Sequence, residues 1–392
     1  MNVKLVIRVK LLPTPEQASA LQATLHACNA AADHVSHTAF TTGIKRNREL
    51  RALTYSTIKT HWSLGAQAAQ HVIKKTSDAY ASLAGNLKAG NLGKPGSKRF
   101  RRATEKPLTF RPDGAQPYDD RMLSWQMEQR TVSIWTVAGR VKRLPFTGDE
   151  SQLLLVARHR QGESDLISQK GQWYLLATVD IPEDTTNPAP QGFIGVDLGI
   201  TNIATTSTGH RHSGRRINRS RKNDRRNRDN LARRQSRSAK RRAKRRAGRE
   251  ARRTRDINHK ISKHIVTEAQ RTGRGIALED LSGIRERARL KKPQRVTINS
   301  WAFAQLGAFI EYKARRAGVP VVHVHPAYTS QECSRCHHID RGNRPTQAEF
   351  SCRNCGFVEH ADLNASHVIA DRGWWTWVCG AESQVPALTL IA

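Results

Sequence analysis

The spacing of apolar residues changes along the chain and divides it into regions of different predicted structure. Residues 3–11 alternate between apolar and polar side chains, which predicts a strand. A helix should follow, because Thr14 can accept hydrogen bonds as its N-cap and Pro15 suits the first helical position. Apolar residues then recur at helical spacing, at Leu21, Leu25 and Cys28. We expect residues 15–90 to be mostly helical.

The next region contains shorter apolar runs separated by Gly, Pro and Asp. Residues 89–107 predict a basic loop rich in Gly and Pro. Between 108 and 182, strands are predicted at LTF, VSIWTV, LLLVAR and WYLLATVDI. They indicate a small β-barrel or sandwich, which the strand at 3–11 can join. Residues 182–190 (PEDTTNPAP) resemble a linker.

The second half of the chain alternates predicted strands with predicted helices. The run FIGVDLGITNIATTS at 193–207 predicts a β-hairpin around a Gly turn. An amphipathic helix, marked by Ile257, Ile261, Ile265 and Ala269, precedes the strand IALED. A helix over about 299–317, with Gly318 as its C-cap, precedes the strand VPVVHVHP. This alternation predicts an α/β sheet layered with helices.

The net charge of the chain indicates which kind of partner it binds. The chain has a net charge of +33, from 66 Lys and Arg against 33 Asp and Glu. Between Arg211 and Arg255, 22 of 45 residues are basic. A surplus of this size favours a polyanion, because binding phosphates releases their counterions. This segment can form a helix or helical hairpin on nucleic acid; the alternative is a disordered basic tail.

Other partners find little support in the sequence. No stretch approaches the roughly 20 apolar residues that span a bilayer, so we expect no membrane partner. The first residues lack the apolar core of a signal peptide. We therefore expect a cytoplasmic, nucleoid-associated protein, in which paired cysteines bind metal rather than form disulfides.

Three acidic residues occupy positions suited to catalysis. Asp197 ends the run FIGV, Glu279 ends the run IAL, and Asp362 lies just ahead of the predicted helix LNASHVIA. Carboxyl ends of strands meet at one edge of an α/β sheet, so these side chains can converge. Clustered carboxylates need a cation, and Mg²⁺ or Mn²⁺ suits oxygen ligands. Alone, each residue could be a turn or cap residue, and Asp280 could replace Glu279.

Four cysteines form a second constellation. Cys333 and Cys336 make one CxxC pair, and Cys352 and Cys355 make another, with 15 residues between the pairs. This spacing predicts a closed, structural zinc site of four thiolates; a redox pair is the alternative. We expect the ribbon to present four arginines as candidate nucleic-acid contacts: Arg335, Arg341, Arg344 and Arg353.

These motifs together resemble those of the TnpB family, transposon-encoded OrfB-type proteins related to type V CRISPR effectors. The resemblance lies in GVDLGITNIAT, ALEDLSGI, YTSQECSRC with CRNCG, and DLNASHVIA. It extends to LLPTPEQASALQATLHACNAAADHV and WAFAQLGAFIEYKARRAGVPVVHVHPAYTSQ, and it is loosest over 40–180. The resemblance implies an RNase H-like (RuvC-type) nuclease core with an inserted zinc ribbon, an N-terminal helical domain and a small β-barrel-like domain.

The resemblance also implies boundaries and roles. The β-barrel-like wedge domain would comprise 1–12 and 100–184, and the helical recognition domain 13–99. The nuclease core would comprise 191–330 and 361–380, with an Arg-rich insert at 211–255, a zinc ribbon at 331–360 and a tail at 381–392. Asp197, Glu279 and Asp362 match the catalytic Mg²⁺ ligands of the family, and the four cysteines match its Zn²⁺ ligands. Cys336 is followed by His337 where the family usually has Gly.

Another departure lies beside the last acid. The family usually has Arg before this Asp, whereas this chain reads His360-Ala361-Asp362, so an arginine near the site is missing. The implied function is an RNA-guided, Mg²⁺-dependent DNA endonuclease encoded by a transposable element, with a guide RNA from the transposon end and double-stranded DNA as its target. The main alternative is a transposon-associated DNA- or RNA-binding accessory protein without cleavage. An unguided RuvC-like nuclease and a DDE transposase are further alternatives.

Overall fold

The computed structural model describes residues 2–280 and 303–382. The chain forms two compact units, one of Asn2–Ile181 and one that begins at Pro182. The finer division into wedge, recognition, nuclease and ribbon domains stays a prediction. Parts of the predicted helix at 299–317, the motif ALEDLSGI and the tail at 381–392 lie outside the described residues.

The N-terminal unit combines helices with a seven-stranded sheet. Its helices are α1 (Pro15–Thr42), α2 (Asn47–His61), α3 (Ala66–Lys88), α4 (Lys98–Thr104) and α5 (Glu150–His159). Its strands are β1 (Asn2–Leu11), β2 (Gln116–Tyr118), β3 (Leu123–Gln126), β4 (Thr131–Thr136), β5 (Gly139–Thr147), β6 (Arg160–Gln169) and β7 (Gln172–Pro182). The sheet order is β2-β6-β7-β1-β5-β4-β3.

Several sequence predictions for this unit are confirmed. Strand β1 joins the sheet between β7 and β5. Thr14 caps α1, since its hydroxyl accepts from the Gln17 amide and the Gln17 side chain accepts from the Thr14 amide. Leu21, Leu25 and Cys28 are buried in the core.

Other predictions for this unit were wrong. The run LLLVAR lies in α5, not in a strand, because the Asp149 side chain caps the helix and Leu153 and Val156 bury one face. The run LTF forms no strand, since the Phe110 amide donates to Asp33 instead of a sheet partner. The predicted loop at 89–107 contains α4, which the Ser97 hydroxyl caps. An apolar run this short fits either a strand or a helix, so periodicity alone does not predict which one forms. Here the capping residues Ser97 and Asp149 favour the helices.

The second unit contains a mixed five-stranded sheet. Its strands are β8 (Phe193–Asp197), β9 (Asn202–Thr206), β10 (Arg211–Ser213), β11 (Gly275–Glu279) and β12 (Val321–Val324). The order is β10-β9-β8-β11-β12. Strand β9 runs antiparallel to β8, as the predicted hairpin requires, whereas β8, β11 and β12 are parallel to one another. The short strands β13 (Glu349–Ser351) and β14 (Val358–His360) pair within the cysteine segment.

Among the described residues, four helices accompany this sheet: α6 (Arg215–Arg233), α7 (Arg237–Arg271), α8 (Phe303–Arg316) and α9 (Ala361–Glu382). The apolar faces of α7 and α8 cover one side of the sheet through Ile261, Ile265, Leu306 and Ile310. The predicted amphipathic helix is therefore continuous with the basic segment, as the end of one 35-residue helix. Gly318, at φ +61°, turns the chain from α8 toward β12.

Glycines allow α9 to approach the other side of the sheet closely. A Cβ on Gly195 of β8 would overlap the Ser366 carbonyl and the Ala370 amide of α9. A Cβ on Gly373 of α9 would likewise overlap the side chain of Ala277 in β11. This close packing brings the start of α9 next to the ends of β8 and β11.

The Arg-rich segment forms a helical hairpin, which we call the arginine hairpin, of α6 and the N-terminal part of α7. Its two helices are joined by ion pairs: Asp224 lies 3.4 Å from Arg253 and 3.8 Å from Arg246. Arg228 contacts Glu250 at 2.5 Å. Helix α6 buries none of its side chains, so most of its basic groups face solvent. Nowhere in residues 2–280 and 303–382 does a helix have the length and apolar character of a membrane span.

Candidate active site and metal centre

Two of the predicted acids lie side by side at one edge of the five-stranded sheet. Asp197 is the last residue of β8, and Glu279 is the last residue of β11. The strands are parallel neighbours, with Val196 opposite Leu278, so the two following side chains leave the sheet together. Both strands are apolar runs, and the last residue of each strand carries a carboxylate.

The third acid reaches the same place from α9. Asp362 lies in the first turn of this helix, rather than just ahead of it as predicted. Its carboxylate accepts from the Asn202 amide at 2.9 Å and from the Arg344 guanidinium at 3.3 Å. Its backbone amide donates to the His360 ring, so His360 helps to cap α9.

The acids affect one another electrostatically. Burial raises the pKa of Asp197 to about 8, and the carboxylates of Glu279 and Asp362 raise it further against the opposing effect of Arg344. Burial also raises the pKa of Glu279, opposed by the Thr329 hydroxyl, which donates to its carboxylate at 2.5 Å. The carboxylates that raise the pKa of Asp197 are those of Glu279 and Asp362, which favours Glu279 over Asp280 as the acid at the end of β11.

The donor set suits a hard divalent cation. Three carboxylates converge in a buried position, which costs free energy unless a positive charge compensates them. Across the described residues, only the cysteines bring three or more candidate donor atoms within 4.8 Å of one another.

The four cysteines come together as predicted. Their sulfur atoms all lie within 4.8 Å of one another. Cys333 and Cys355 are 3.7 Å apart, and Cys336 and Cys352 are 3.6 Å apart. Tetrahedral zinc with bonds of about 2.3 Å places its sulfurs about 3.8 Å apart, so the geometry fits zinc. The backbone amide of His338 lowers the pKa of Cys336 to about 6, which favours the thiolate.

Family models match the parts of the chain that carry these sites. Residues 177–282 match the OrfB_IS605 model, described as "Probable transposase". Residues 303–369 match the "Cas12f1-like, TNB domain". The chain is also 38% identical over 117 residues to a "TnpB-like protein" of Methanocaldococcus jannaschii, covering 29% of this chain and 41% of that protein. Over these segments the chain is similar to TnpB-like and Cas12f1-like proteins.

Other relatives extend this comparison. The chain is 43% identical over 114 residues to "CRISPR-associated endodeoxyribonuclease Cas12f1" of Sulfoacidibacillus thermotolerans, covering 29% of this chain and 26% of that protein. It is 28% identical over 235 residues to "Putative RNA-guided DNA endonuclease InsQ" of Escherichia coli, covering 54% of this chain and 56% of that protein. The matched segments thus span between about a quarter and just over half of these three relatives.

Sequence reasoning missed the arginine of this site. Arg344 was predicted to face nucleic acid from the ribbon, but its guanidinium turns toward Asp362 and donates to the Gln347 carbonyl at 2.9 Å. The arginine absent from the position before Asp362 is thus compensated by one from the cysteine segment. Little in the sequence distinguishes Arg344 from the other three ribbon arginines. Only the fold shows that Arg344 contacts Asp362.

We expect Arg344→Gln to slow DNA cleavage by about 100-fold, because it removes the guanidinium that contacts Asp362 and opposes the raised pKa of Asp197. Single-turnover cleavage with saturating guide RNA is the measurement. Arg341→Gln, which changes an exposed arginine of the same ribbon, is the matched control. Equal rates for the two variants would show that Arg344 acts only as a surface charge.

We also expect cation binding to depend on pH. The raised pKa of Asp197 means that the cation-free folded chain holds a proton that the unfolded chain releases near its ordinary pKa. The contribution of Asp197 to the stability of the cation-free protein is therefore greatest in acid and falls as pH rises toward about 8. The cation must displace this proton, so Mn²⁺ affinity should rise up to about tenfold per pH unit and level off above about pH 8.

Calorimetry in buffers of different ionisation enthalpy can count the protons that Mn²⁺ releases. We expect about one proton per chain near neutral pH, and none above about pH 9. An affinity that is flat between about pH 6 and about pH 8 would contradict the assignment of Asp197 as a protonated ligand.

Proposed function

We propose that this protein is an RNA-guided, Mg²⁺-dependent DNA endonuclease encoded by a transposable element. The observation that carries the proposal is the convergence of Asp197, Glu279 and Asp362 in one buried position. The names of the relatives support the same activity, since they include an endodeoxyribonuclease and a putative RNA-guided DNA endonuclease. A protein that only binds nucleic acid has no use for three buried acids.

The sheet supports an RNase H-like (RuvC-type) core. Its order β10-β9-β8-β11-β12, with β9 antiparallel to its neighbours, forms the five-stranded arrangement expected of that fold. The acids lie at the carboxyl ends of two neighbouring parallel strands and at the start of a helix packed on them. This edge is where α/β sheets place their reactive groups.

The residues of the site have separable roles in this proposal. Asp197, Glu279 and Asp362 would hold Mg²⁺ or Mn²⁺, which supplies the Lewis acidity for hydrolysis of a phosphodiester. The Thr329 hydroxyl fixes the orientation of Glu279. The Asn202 amide and Arg344 hold the two oxygens of Asp362, so that this carboxylate cannot rotate away. Arg344 also supplies positive charge beside the position of the scissile phosphate.

The basic surfaces would bind the nucleic acids. The arginine hairpin leaves most of its cations in solvent, where they can contact the phosphates of a guide RNA or of double-stranded DNA. The thiolate zinc would be structural, because four cysteine ligands leave no open position. Base pairing with the guide would then select the target, while the protein reads shape and a short flanking motif.

The decisive experiment is to sequence the RNA that co-purifies with the protein and then to offer DNA that matches it. We expect a defined RNA from the transposon end, and Mg²⁺-dependent cleavage of matching double-stranded DNA only. Tight binding of RNA and DNA without cleavage under any divalent cation would support the accessory, non-cleaving alternative. Cleavage that ignores the guide would support an unguided RuvC-like nuclease.

A further inference from the structure

Three histidines and one buried glutamate meet where the arginine hairpin joins the sheet. The ring of His264 in α7 lies 4.9 Å from the ring of His210 and 5.2 Å from the ring of His212, measured between centroids. The Nδ1 atom of His210 lies 3.4 Å from Oε1 of Glu268. None of these residues belongs to the carboxylate site or to the cysteine site.

The spacing of the four residues explains why they face one another. His210 and His212 are two residues apart along the extended edge of the sheet at β10, so their side chains leave the same face. His264 and Glu268 are four residues apart, which places them one above the other on α7. The buried side chains of Ile265 and Ala269 hold this part of α7 on the sheet.

Within the described residues, two polar side-chain atoms of this cluster have no hydrogen-bond partner. The Oε2 atom of Glu268 and the Nε2 atom of His212 are both buried and form no hydrogen bond within the described part of the chain. The Glu268 side chain is only 10% exposed, and none of the described lysines and arginines forms an ion pair with it. A buried carboxylate oxygen without a partner is costly, and native structures rarely leave one.

The chemistry of these donors narrows the class of partner. Burial lowers the pKa of His212, and the neighbouring His264 and His210 lower it further, so its imidazole stays neutral and can bind a metal. Imidazole nitrogen with one carboxylate oxygen is a ligand set for zinc, cobalt or nickel rather than for magnesium. A cation would also neutralise Glu268 and occupy both unpartnered atoms.

We propose that His210, His212, His264 and Glu268 form a second transition-metal site. The imidazoles must rotate to close it, since in the described structure only the cysteine sulfurs already lie within 4.8 Å of one another. The bound metal joins the edge of the sheet at β10 to the long helix α7. It therefore anchors the arginine hairpin to the sheet that carries Asp197.

Cobalt binding tests this site on the full-length chain. The protein is first loaded with zinc at its cysteines, then titrated with Co²⁺ in excess Mg²⁺. We expect one equivalent of cobalt with weak ligand-field absorption and no sulfur-to-cobalt charge-transfer band. Glu268→Gln and His264→Asn should each weaken this binding by at least about 100-fold, since losing a metal ligand lowers the affinity more than losing a residue that only orients a ligand.

The controls separate the site from general effects. His37→Asn removes an exposed histidine from helix α1 and should leave cobalt binding unchanged. Circular dichroism checks that each variant folds; His264 is exposed, so its variant decides the matter if Glu268→Gln unfolds. Cobalt should also raise the thermal midpoint of the wild type but not of the variants. The proposal fails if wild-type protein takes up no cobalt beyond the thiolate site, or if both folded variants bind cobalt as the wild type does.

Discussion

Replacing Asp197 with Asn should reduce Mg²⁺-dependent DNA cleavage by at least about 10³-fold, which corresponds to about 4 kcal/mol of activation free energy. The side chain is the carboxylate most strongly perturbed by its neighbours, and it ends the strand on which the site is built. Asn keeps its size but cannot neutralise a divalent cation. The measurement is single-turnover cleavage of guide-matched DNA, with binding of guide RNA and target measured separately.

The same substitution should leave the fold intact. With a pKa raised to about 8, Asp197 is largely protonated at neutral pH without a cation, so a neutral Asn resembles the state that the folded chain already tolerates. Asn should even stabilise the cation-free protein above neutral pH, because it removes a buried charge. Loss of cleavage with intact nucleic-acid binding is therefore the expected combination.

Two further variants test which acidic residue at the end of β11 is the metal ligand. Glu279→Gln should abolish cleavage as Asp197→Asn does, whereas Asp280→Asn should retain it, because Glu279 is the neighbour that raises the pKa of Asp197. The reverse result would move the ligand to Asp280 and leave the remaining site unchanged. Full cleavage by Asp197→Asn would overturn the proposed catalytic site altogether.

The positions of the acids were predictable because each follows a short-range pattern. Asp197 and Glu279 end apolar runs that form buried strands, and parallel strands bring their carboxyl ends to one edge. The four cysteines were predictable because the CxxC spacing itself fixes two ligands on each turn. Sequence reasoning works here because each of these residues has a fixed place in a local sequence pattern.

The residues that orient the acids followed no such pattern. Asn202 contacts Asp362 across 160 positions of sequence, and Thr329 contacts Glu279 across 50. Both contacts exist only because β9 and the segment after β12 fold against the site. Likewise, α5 was predicted as a strand because its apolar run is short, although Asp149 offered a capping signal. Polar partners at long sequence distance depend on tertiary packing, which periodicity does not describe.

Removing two zinc ligands together, with Cys352→Ala and Cys355→Ala, should eliminate thiolate-bound zinc and abolish cleavage. The ribbon has only a small core of its own, formed by Cys333, Phe350, Cys352 and Ala361. Zinc contributes about 10–16 kcal/mol to the folding of zinc-finger peptides near neutral pH, far more than so few buried side chains can supply. Without zinc, we expect this segment to unfold while the N-terminal unit keeps its structure.

Cleavage should be lost because the ribbon carries part of the active site. Asn364 of α9 accepts from the Ser334 amide at 2.9 Å and donates to the Glu332 carbonyl at 2.8 Å, which fixes the ribbon on the helix of Asp362. Arg372 adds a contact of 2.5 Å to Glu332. These contacts hold the ribbon in the position where Arg344 reaches Asp362. Unfolding the ribbon should therefore lower the cleavage rate at least as much as Arg344→Gln does.

Cobalt substitution and cleavage can be measured on the same preparations. The double variant should lose the intense sulfur-to-cobalt band, while Cys379→Ala, which removes an exposed thiol from α9, should keep it. If the double variant still binds zinc through sulfur, the four-thiolate assignment is wrong. If it loses that zinc yet cleaves like the wild type, the ribbon does not support the site, and the Arg344 contact to Asp362 contributes nothing to the reaction. The loss of both together is the result that the geometry predicts, because the metal orders the segment that brings Arg344 to Asp362.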